Sequence, residues 1–128
     1  MTKAEEFDKA WRLGSKGDFS LVDKIYNPKY RAIQKNINVE VDLEADKIVI
    51  QTISDVLTTG PYKVIFEDDN FLCIERCFKS MLTGEPAFNV GITGVKYLDG
   101  KIITQETVGE RDLPDPSEGQ DWNWEDYE

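Results

Sequence analysis

The sequence has 128 residues, of which 40% are hydrophobic and 31% are charged, and its net charge is −10. A chain of this length predicts a single domain with one core, because it buries about two thirds of its unfolded surface. No apolar run approaches the roughly 18 residues of a membrane-spanning helix, and the charged N-terminal segment lacks the apolar stretch of a signal peptide. These features predict a cytoplasmic protein without a membrane partner.

The excess of acidic residues is concentrated at the C-terminus. Residues 112–128 hold seven acidic residues and no basic one, so residues 1–111 keep 18 acidic and 15 basic residues and a net charge of −3. Nucleic-acid binding requires a basic surface that neutralises phosphates. The sequence therefore predicts no nucleic-acid partner.

Histidine is absent from the sequence. It is the commonest general base and metal ligand, and many serine and cysteine nucleophiles depend on a histidine partner. Its absence excludes those nucleophile schemes, and we predict neither a metal site nor a cofactor.

Two helices are predicted before Pro28. A capping box of Thr2 and Glu5 starts the first helix, which ends at Gly14. The second, shorter helix follows Asp18 and stops ahead of the proline.

A third helix is predicted in the middle of the chain. A short strand over residues 30–33 and an extended segment over residues 34–42 precede it. Asp42 is its predicted N-cap, its buried face runs through Leu57, and Gly60-Pro61 ends it.

The hydrophobic period changes to two after Pro61, which indicates strands. Asp99-Gly100 between two apolar runs is a strong hairpin signal, because both central residues of a type I′ turn need positive φ. The predicted strands cover residues 62–68, 71–80, 88–98 and 101–111. Helices followed by an antiparallel meander predict an α+β fold with the helices on one face of the sheet.

The order and spacing of these elements resemble the nuclear transport factor 2-like superfamily, in particular its SnoaL-like and ketosteroid isomerase-like members. The stretch FDKAWRLGSKGDFSLVDKIYNPKY resembles their opening helix, the Gly-Asp step into a second helix and the aromatic-Asn-Pro-aromatic exit, and YLDGKI resembles the hairpin before their last strand. The likeness covers about residues 4–112. It implies three N-terminal helices packed in the concave face of a strongly curved, mainly antiparallel sheet, which is a cone-shaped α+β barrel with a pocket at its wide end.

The resemblance also implies a homodimer through the outer face of the sheet. A strand over residues 71–80, FLCIERCFKS, has two mostly apolar faces. The helices cover one face, and without a second copy of the chain the other would be a large exposed apolar patch. We therefore predict a homodimer.

Cys73, Glu75 and Cys77 share one face of this strand. The two cysteines are then about 13 Å apart, too far for a disulfide or a shared metal, and we predict two buried free thiols. Glu75 is either an acid or base with a raised pKa or a carboxylate paired with a Lys or Arg of a neighbouring strand or partner subunit. We favour the paired carboxylate.

Strict alternation along the last strand places Ile102, Thr104 and Glu106 on one face. In the enzymes that the chain resembles, pocket-facing positions of this strand carry polar catalytic or ligand-binding groups. Glu106 is therefore the predicted catalytic carboxylate, and Thr104 and Glu106 are predicted ligand contacts. A solvated or salt-bridged Glu106 is the alternative.

Trp11, Tyr26 and Tyr30 are the other predicted ligand-binding residues, since the resembling proteins line their cavity with aromatic side chains from the helices. Aromatic residues at such positions also serve simply as core. A tyrosine hydroxyl could donate to a developing oxyanion.

The chain divides into a SnoaL-like domain at residues 1–112 and an acidic tail at residues 113–128 that we expect to dock on its own or the partner subunit, because it carries three large aromatic residues. Three functions follow. The first is a small-molecule binding protein of SnoaL-like type for an apolar or aromatic ligand. The second is an isomerase, cyclase or hydrolase that uses carboxylate acid–base chemistry in the cone pocket. The third is a protein-interaction domain, since the fold alone does not choose among them.

Overall fold

A computed structural model describes residues 1–34 and 38–128 of the chain. The part of the predicted extended segment that falls on residues 35–37 lies outside the described residues. The described elements are the helices α1 (Lys3–Ser15), α2 (Ser20–Ile25) and α3 (Leu43–Ile53), the strands β1 (Ala32–Gln34), β2 (Val39–Val41), β3 (Leu57–Glu67), β4 (Phe71–Ser80), β5 (Ala87–Leu98) and β6 (Lys101–Leu113), and a 3₁₀ helix at Trp124–Tyr127.

The three helices pack against a four-stranded antiparallel sheet with the strand order β3-β4-β5-β6. Strands β1 and β2 form a separate antiparallel pair. The segment between α2 and β1 runs along the edge of β6, where the backbone N–H groups of Asn27 and Arg31 donate to the carbonyls of Ile102 and Ile103. The predicted α+β fold, with its helices on a curved antiparallel sheet, is confirmed.

Several local predictions hold for simple stereochemical reasons. Thr2 and Glu5 form the capping box of α1, and the Asp42 side chain accepts the backbone N–H of Ala45 at the start of α3. Asp99 and Gly100 both have positive φ, as the two-residue turn between β5 and β6 requires.

The core lies between α1, α2 and the inner face of the sheet. Phe7 and Ala10 of α1 are buried against Leu72 and Ile74 of β4 and Val95 of β5. Burial of a large aliphatic or aromatic side chain contributes about 1.5–3 kcal/mol, so this packing holds α1 firmly in the concave face.

The third helix is shorter than predicted. It ends at Ile53 rather than at Gly60-Pro61, and Leu57 already begins β3 by pairing with Ser80. No residue of α3 is fully buried, so tertiary packing does not extend the helix into a segment whose β-branched residues suit a strand. The Gly-Pro pair lies at an irregularity of this edge strand, where a residue without an N–H is tolerated.

Two glycines face each other on β5 and β6. Gly91 lies opposite Gly109, next to a register shift between Phe88 and Val90. A Cβ atom on Gly109 would lie 2.6 Å from the carbonyl oxygen of Val90, so the two strands leave no room for a side chain there.

None of the helices in the described ranges is long and apolar enough to cross a membrane. Within residues 1–34 and 38–128, no group of three or more Cys, Asp or Glu residues is arranged to hold a metal ion.

Candidate functional site

A cavity of about 640 Å³ lies between α1, α3 and the inner face of the sheet. Its apolar lining includes Phe7, Trp11, Val49, Ile50, Ile53, Leu57 and Phe78. Its polar lining includes Arg12, Asp46, Arg76, Thr93, Gln105 and Thr107. A mostly apolar pocket of this size with a few polar groups is typical of a small-molecule site.

Helix α3 forms one wall of the cavity. Asp46, Val49, Ile50 and Ile53 recur at helical spacing and all line it. Because this apolar stripe faces an open cavity rather than the core, Val49 keeps 52% of its surface exposed. The hydrophobic pattern of α3 therefore marks a cavity wall.

Asp46 is a partly buried carboxylate that α3 places in the cavity lining. The hydroxyl of Tyr30, which is 1% exposed, donates to Asp46 Oδ2 at 3.2 Å. Burial raises the pKa of the Asp46 carboxyl, and the hydrogen bond from Tyr30 only partly opposes this shift. Asp46 was not predicted from the sequence, although an acidic residue on the same helical stripe as Ile50 and Ile53 was a usable signal.

A second buried tyrosine positions Gln105. The indole Nε1 of Trp11 donates to the hydroxyl oxygen of Tyr26 at 3.0 Å, and the Tyr26 hydroxyl donates to Gln105 Oε1 at 2.6 Å. Burial raises the pKa of Tyr26 well above its ordinary value, so this hydroxyl stays protonated as a donor. This bond orients the Gln105 side chain, whose amide nitrogen is a further donor for a ligand.

A cluster of two arginines and one aspartate forms the wall near α1. Arg76 of β4 donates from Nη2 to Asp8 Oδ1, and Arg12 Nε lies 3.0 Å from both Asp8 oxygens. The two Nη groups of Arg12 donate to the carbonyls of Thr59 and Gly60 at 2.9 and 2.8 Å. The cluster therefore joins α1 to the edge strand β3 and to the cavity.

Arg76 is the most buried charged side chain of this cluster. It is 6% exposed, and its Nε has no hydrogen-bond acceptor within the described part of the chain. Burial lowers the pKa of Arg76, while the Asp8 carboxylate opposes that shift.

Comparison with known proteins yields structural neighbours only. No model of a known protein family and no curated protein matches the sequence. IdmH from Streptomyces antibioticus, a candidate polyketide cyclase, is 12% identical, has a TM-score of 0.67 and covers 84% of this chain and 91% of its own. A candidate SnoaL-like polyketide cyclase from Jannaschia sp. CCS1 is 14% identical, with a TM-score of 0.66 and coverage of 84% of both chains. An NTF2-like protein from Anabaena variabilis is 10% identical, with a TM-score of 0.66 and coverage of 84% of this chain and 85% of its own. The protein has the NTF2-like fold.

The NTF2-like fold was predicted from order and spacing, and it is confirmed. At these identities the likeness concerns the fold alone. It does not indicate which side chains line the cavity of this protein.

The predicted aromatic residues lie in and behind the cavity wall. Trp11 lines the cavity. Tyr26 and Tyr30 are buried behind its wall and form hydrogen bonds with the lining residues Gln105 and Asp46. The rings of Tyr26 and Tyr30 meet edge to face with centroids 4.8 Å apart, which fixes both hydroxyls.

Thr104 and Glu106 do not have the predicted orientation. They lie on the outer face of β6, where Glu106 is exposed, and neither lines the cavity. The reason is a register shift: Ile102 pairs with Tyr97 but Thr104 pairs with Lys96, so Ile103 is an extra residue. A bulge of this kind reverses the alternation of side chains, and the following inward positions are Gln105 and Thr107.

The outer face of β4 carries the two cysteines and Glu75. Cys73 and Cys77 are free, as predicted, but they are half-buried rather than buried. Lys63 of β3 is the cross-strand neighbour of Glu75, yet Glu75 forms no ion pair with any residue of the described ranges. The role of Glu75 as a paired carboxylate stays a prediction.

The end of the C-terminal tail lies at the mouth of the cavity. Trp124 is 5% exposed and packs on Phe88, with ring centroids 5.9 Å apart, and its Nε1 donates to Asp115 Oδ1 at 3.0 Å. The ring of Tyr127 lies 5.2 Å from the guanidinium of Arg12. Tyr127 and Glu128 both line the cavity.

Proposed function

We propose that the protein binds a small apolar or aromatic molecule in the cavity of its NTF2-like fold. The observation that carries this proposal is the size and lining of the cavity, about 640 Å³ with aromatic and aliphatic side chains on α1, α3 and β4. The names of two structural neighbours, both candidate polyketide cyclases, agree with an apolar ligand but do not assign one to this chain.

A cavity-filling variant tests the proposal. N-phenyl-1-naphthylamine is a neutral probe whose fluorescence rises in apolar surroundings. Ile50→Trp places a large ring in the cavity, and we expect it to weaken probe binding at least about tenfold. Thr52→Trp is the matched control, because Thr52 is exposed on the same helix and does not line the cavity. Equal binding to both variants would show that the probe binds elsewhere and would refute the proposal.

An enzyme that uses Asp46 is the second candidate function. It is favoured by a cavity-lining carboxylate with a raised pKa and a tyrosine hydroxyl 3.2 Å away. A carboxylate with these properties suits proton abstraction next to a carbonyl group. Glu106, the base predicted from the sequence, lies outside the cavity, so Asp46 takes that role in this proposal.

Hydrogen–deuterium exchange tests the enzymatic proposal. In D₂O, the Asp46 carboxylate would remove a proton from the carbon next to the carbonyl of 2-tetralone. The carboxyl group would exchange this proton for a deuteron of the solvent and return the deuteron to the carbon of the enolate. We expect the protein to accelerate this exchange, measured by proton NMR, and Asp46→Asn to remove the acceleration. A rate equal to that of the buffer alone would leave binding as the function.

We further propose a homodimer through the outer face of the sheet. Ile65, Phe66, Ile92 and Val108 are between 39% and 57% exposed. A second copy of the chain would cover those of these side chains that lie on the outer face.

The free thiols of Cys73 and Cys77 also agree with a cytoplasmic location, because reducing conditions preserve them.

The third candidate function is an interaction domain that uses the C-terminal tail. It has less support, because Trp124 is already buried against its own chain.

A further inference from the structure

We propose that the ligand of the cavity carries an anionic group, in the simplest case a carboxylate, which accepts hydrogen bonds from Arg76. This inference rests on the proposed binding function and specifies the class of ligand for the same site. Its basis is the incomplete pairing of Arg76, a buried charged side chain in the cavity wall.

The hydrogen bonds of Arg76 are incomplete. A guanidinium group has five N–H donors, and Asp8 is the one side chain in the described ranges that accepts from it. Its Nε is buried without an acceptor. Native proteins satisfy nearly all buried polar groups, so a side chain that is 6% exposed with this many unused donors indicates an acceptor that arrives with a ligand.

The charges around Arg76 are also incomplete. Asp8 is shared, because Arg12 Nε contacts both of its oxygens while Arg76 contacts one of them. Two cations therefore have one anion between them. Both Nη groups of Arg12 donate to the carbonyls of Thr59 and Gly60, so within this cluster Arg76 is the cation with more donors free for a ligand.

The positions of Arg76 on β4 and Asp46 on α3 predict how such a ligand would be oriented. Arg76 neighbours the aromatic ring of Phe78 along the inner face of β4, and both line the cavity. Asp46 lies on α3 and would repel a carboxylate there. A ligand with one anionic end would therefore place that end at β4 and its apolar body toward Val49, Ile50 and Ile53 on α3.

A pair of probes that differ in charge tests the inference. We would titrate the protein with 1-naphthaleneacetate and with 1-naphthaleneacetamide, which have the same ring system. Because a hydrogen bond to a charged group contributes more than a neutral one, we expect the anion to bind at least about tenfold more tightly. Arg76→Gln should remove this preference, because binding of the anion should weaken more than binding of the amide. Lys63→Gln, which removes a cation from the outer face of the neighbouring strand, should keep it.

A measurement on the unmodified protein covers the case in which Arg76→Gln does not fold. The Nε–H resonance of Arg76, assigned by triple-resonance NMR, should move downfield when 1-naphthaleneacetate is added and stay in place with the amide. If N-phenyl-1-naphthylamine binds in the cavity but the naphthalene pair shows no preference for the anion and Nε–H does not move, the inference is wrong and the binding function stands. If none of the three probes binds, both are wrong.

Discussion

Helices α1 and α3 have similar amphipathic sequences but are packed differently. In α1, Ala4, Phe7 and Ala10 are at most 4% exposed, and the helix packs on the concave face of the sheet. In α3 no residue is buried, and Ile48 and Val49 are more than half exposed. An apolar stripe therefore indicates which side of a helix avoids water. Whether that side packs in a core or lines a cavity depends on the space in front of it.

The largest expected effect tests this contrast directly. Ile74 of β4 is fully buried against α1, and Ile74→Ala should lower the free energy of unfolding by about 4 kcal/mol, because it leaves a void in a packed core. Ile50→Ala on α3 removes the same atoms beside an existing cavity, so we expect a loss of less than about 1 kcal/mol. Urea unfolding of both variants measures the difference. Similar losses would mean that α3 belongs to the core.

Trp124→Ala tests whether the C-terminal tail is packed as tightly as α1 or as loosely as α3. Trp124 is 5% exposed, and a Cβ atom on Gly60 would lie 2.9 Å from its ring. Loss of such a ring should destabilise the protein by about 3 kcal/mol. Trp122, which is half-buried and packs on Trp124 and Tyr127, provides the control, and Trp122→Ala should have a clearly smaller effect. An unchanged Tm for Trp124→Ala would show that the tail does not dock in solution.

Ile92→Lys addresses the other side of the sheet. Ile92 lies opposite Glu75 and Val108 in the ladder and is 39% exposed. If a second copy covers this face, a lysine there should weaken association by about 2 kcal/mol, roughly 30-fold, and sedimentation should detect a shift toward monomer. Lys101→Glu, at the exposed first residue of β6, is the control for a change of charge. A wild-type protein that is monomeric at micromolar concentration would contradict the proposed homodimer.

Local features of the structure could be predicted from the sequence, whereas long-range features could not. The cap at Thr2 and the turn at Asp99-Gly100 depend on neighbouring residues, and both were correct. The contact between Asp8 and Arg76 spans 68 positions, and no local pattern contains it.

The bulge at Ile103 had the greatest consequence for the site. One extra residue in β6 moves Glu106 out of the cavity and brings Gln105 and Thr107 into it. A period of two predicts facing only while the register is unbroken, and the register depends on how β5 and β6 pair. The fold was therefore predictable from order and spacing, but the polar lining of the cavity was not.

The smallest expected effect concerns Asp46 on α3. Burial raises the pKa of its carboxyl, so the folded protein binds this proton more tightly than the unfolded chain does. Stability from this group is therefore present below the unfolded pKa and is lost as the pH rises through the folded pKa. Asp46→Asn keeps a carbonyl that accepts from Tyr30 and removes the charge, so it should raise the Tm slightly at pH 7 and leave it unchanged near pH 3.

Asp55→Asn is the matched control, because Asp55 lines the same cavity but is exposed, and its Tm should not change at either pH. A lower Tm for Asp46→Asn at pH 7 would mean that the carboxylate stabilises the fold and would remove the reason to assign it a role in the cavity. A higher Tm would mean that α3 carries a charge at the expense of stability. On α1, the carboxylate of Asp8 is instead paired with Arg12 and Arg76, and this difference in pairing distinguishes the two helices.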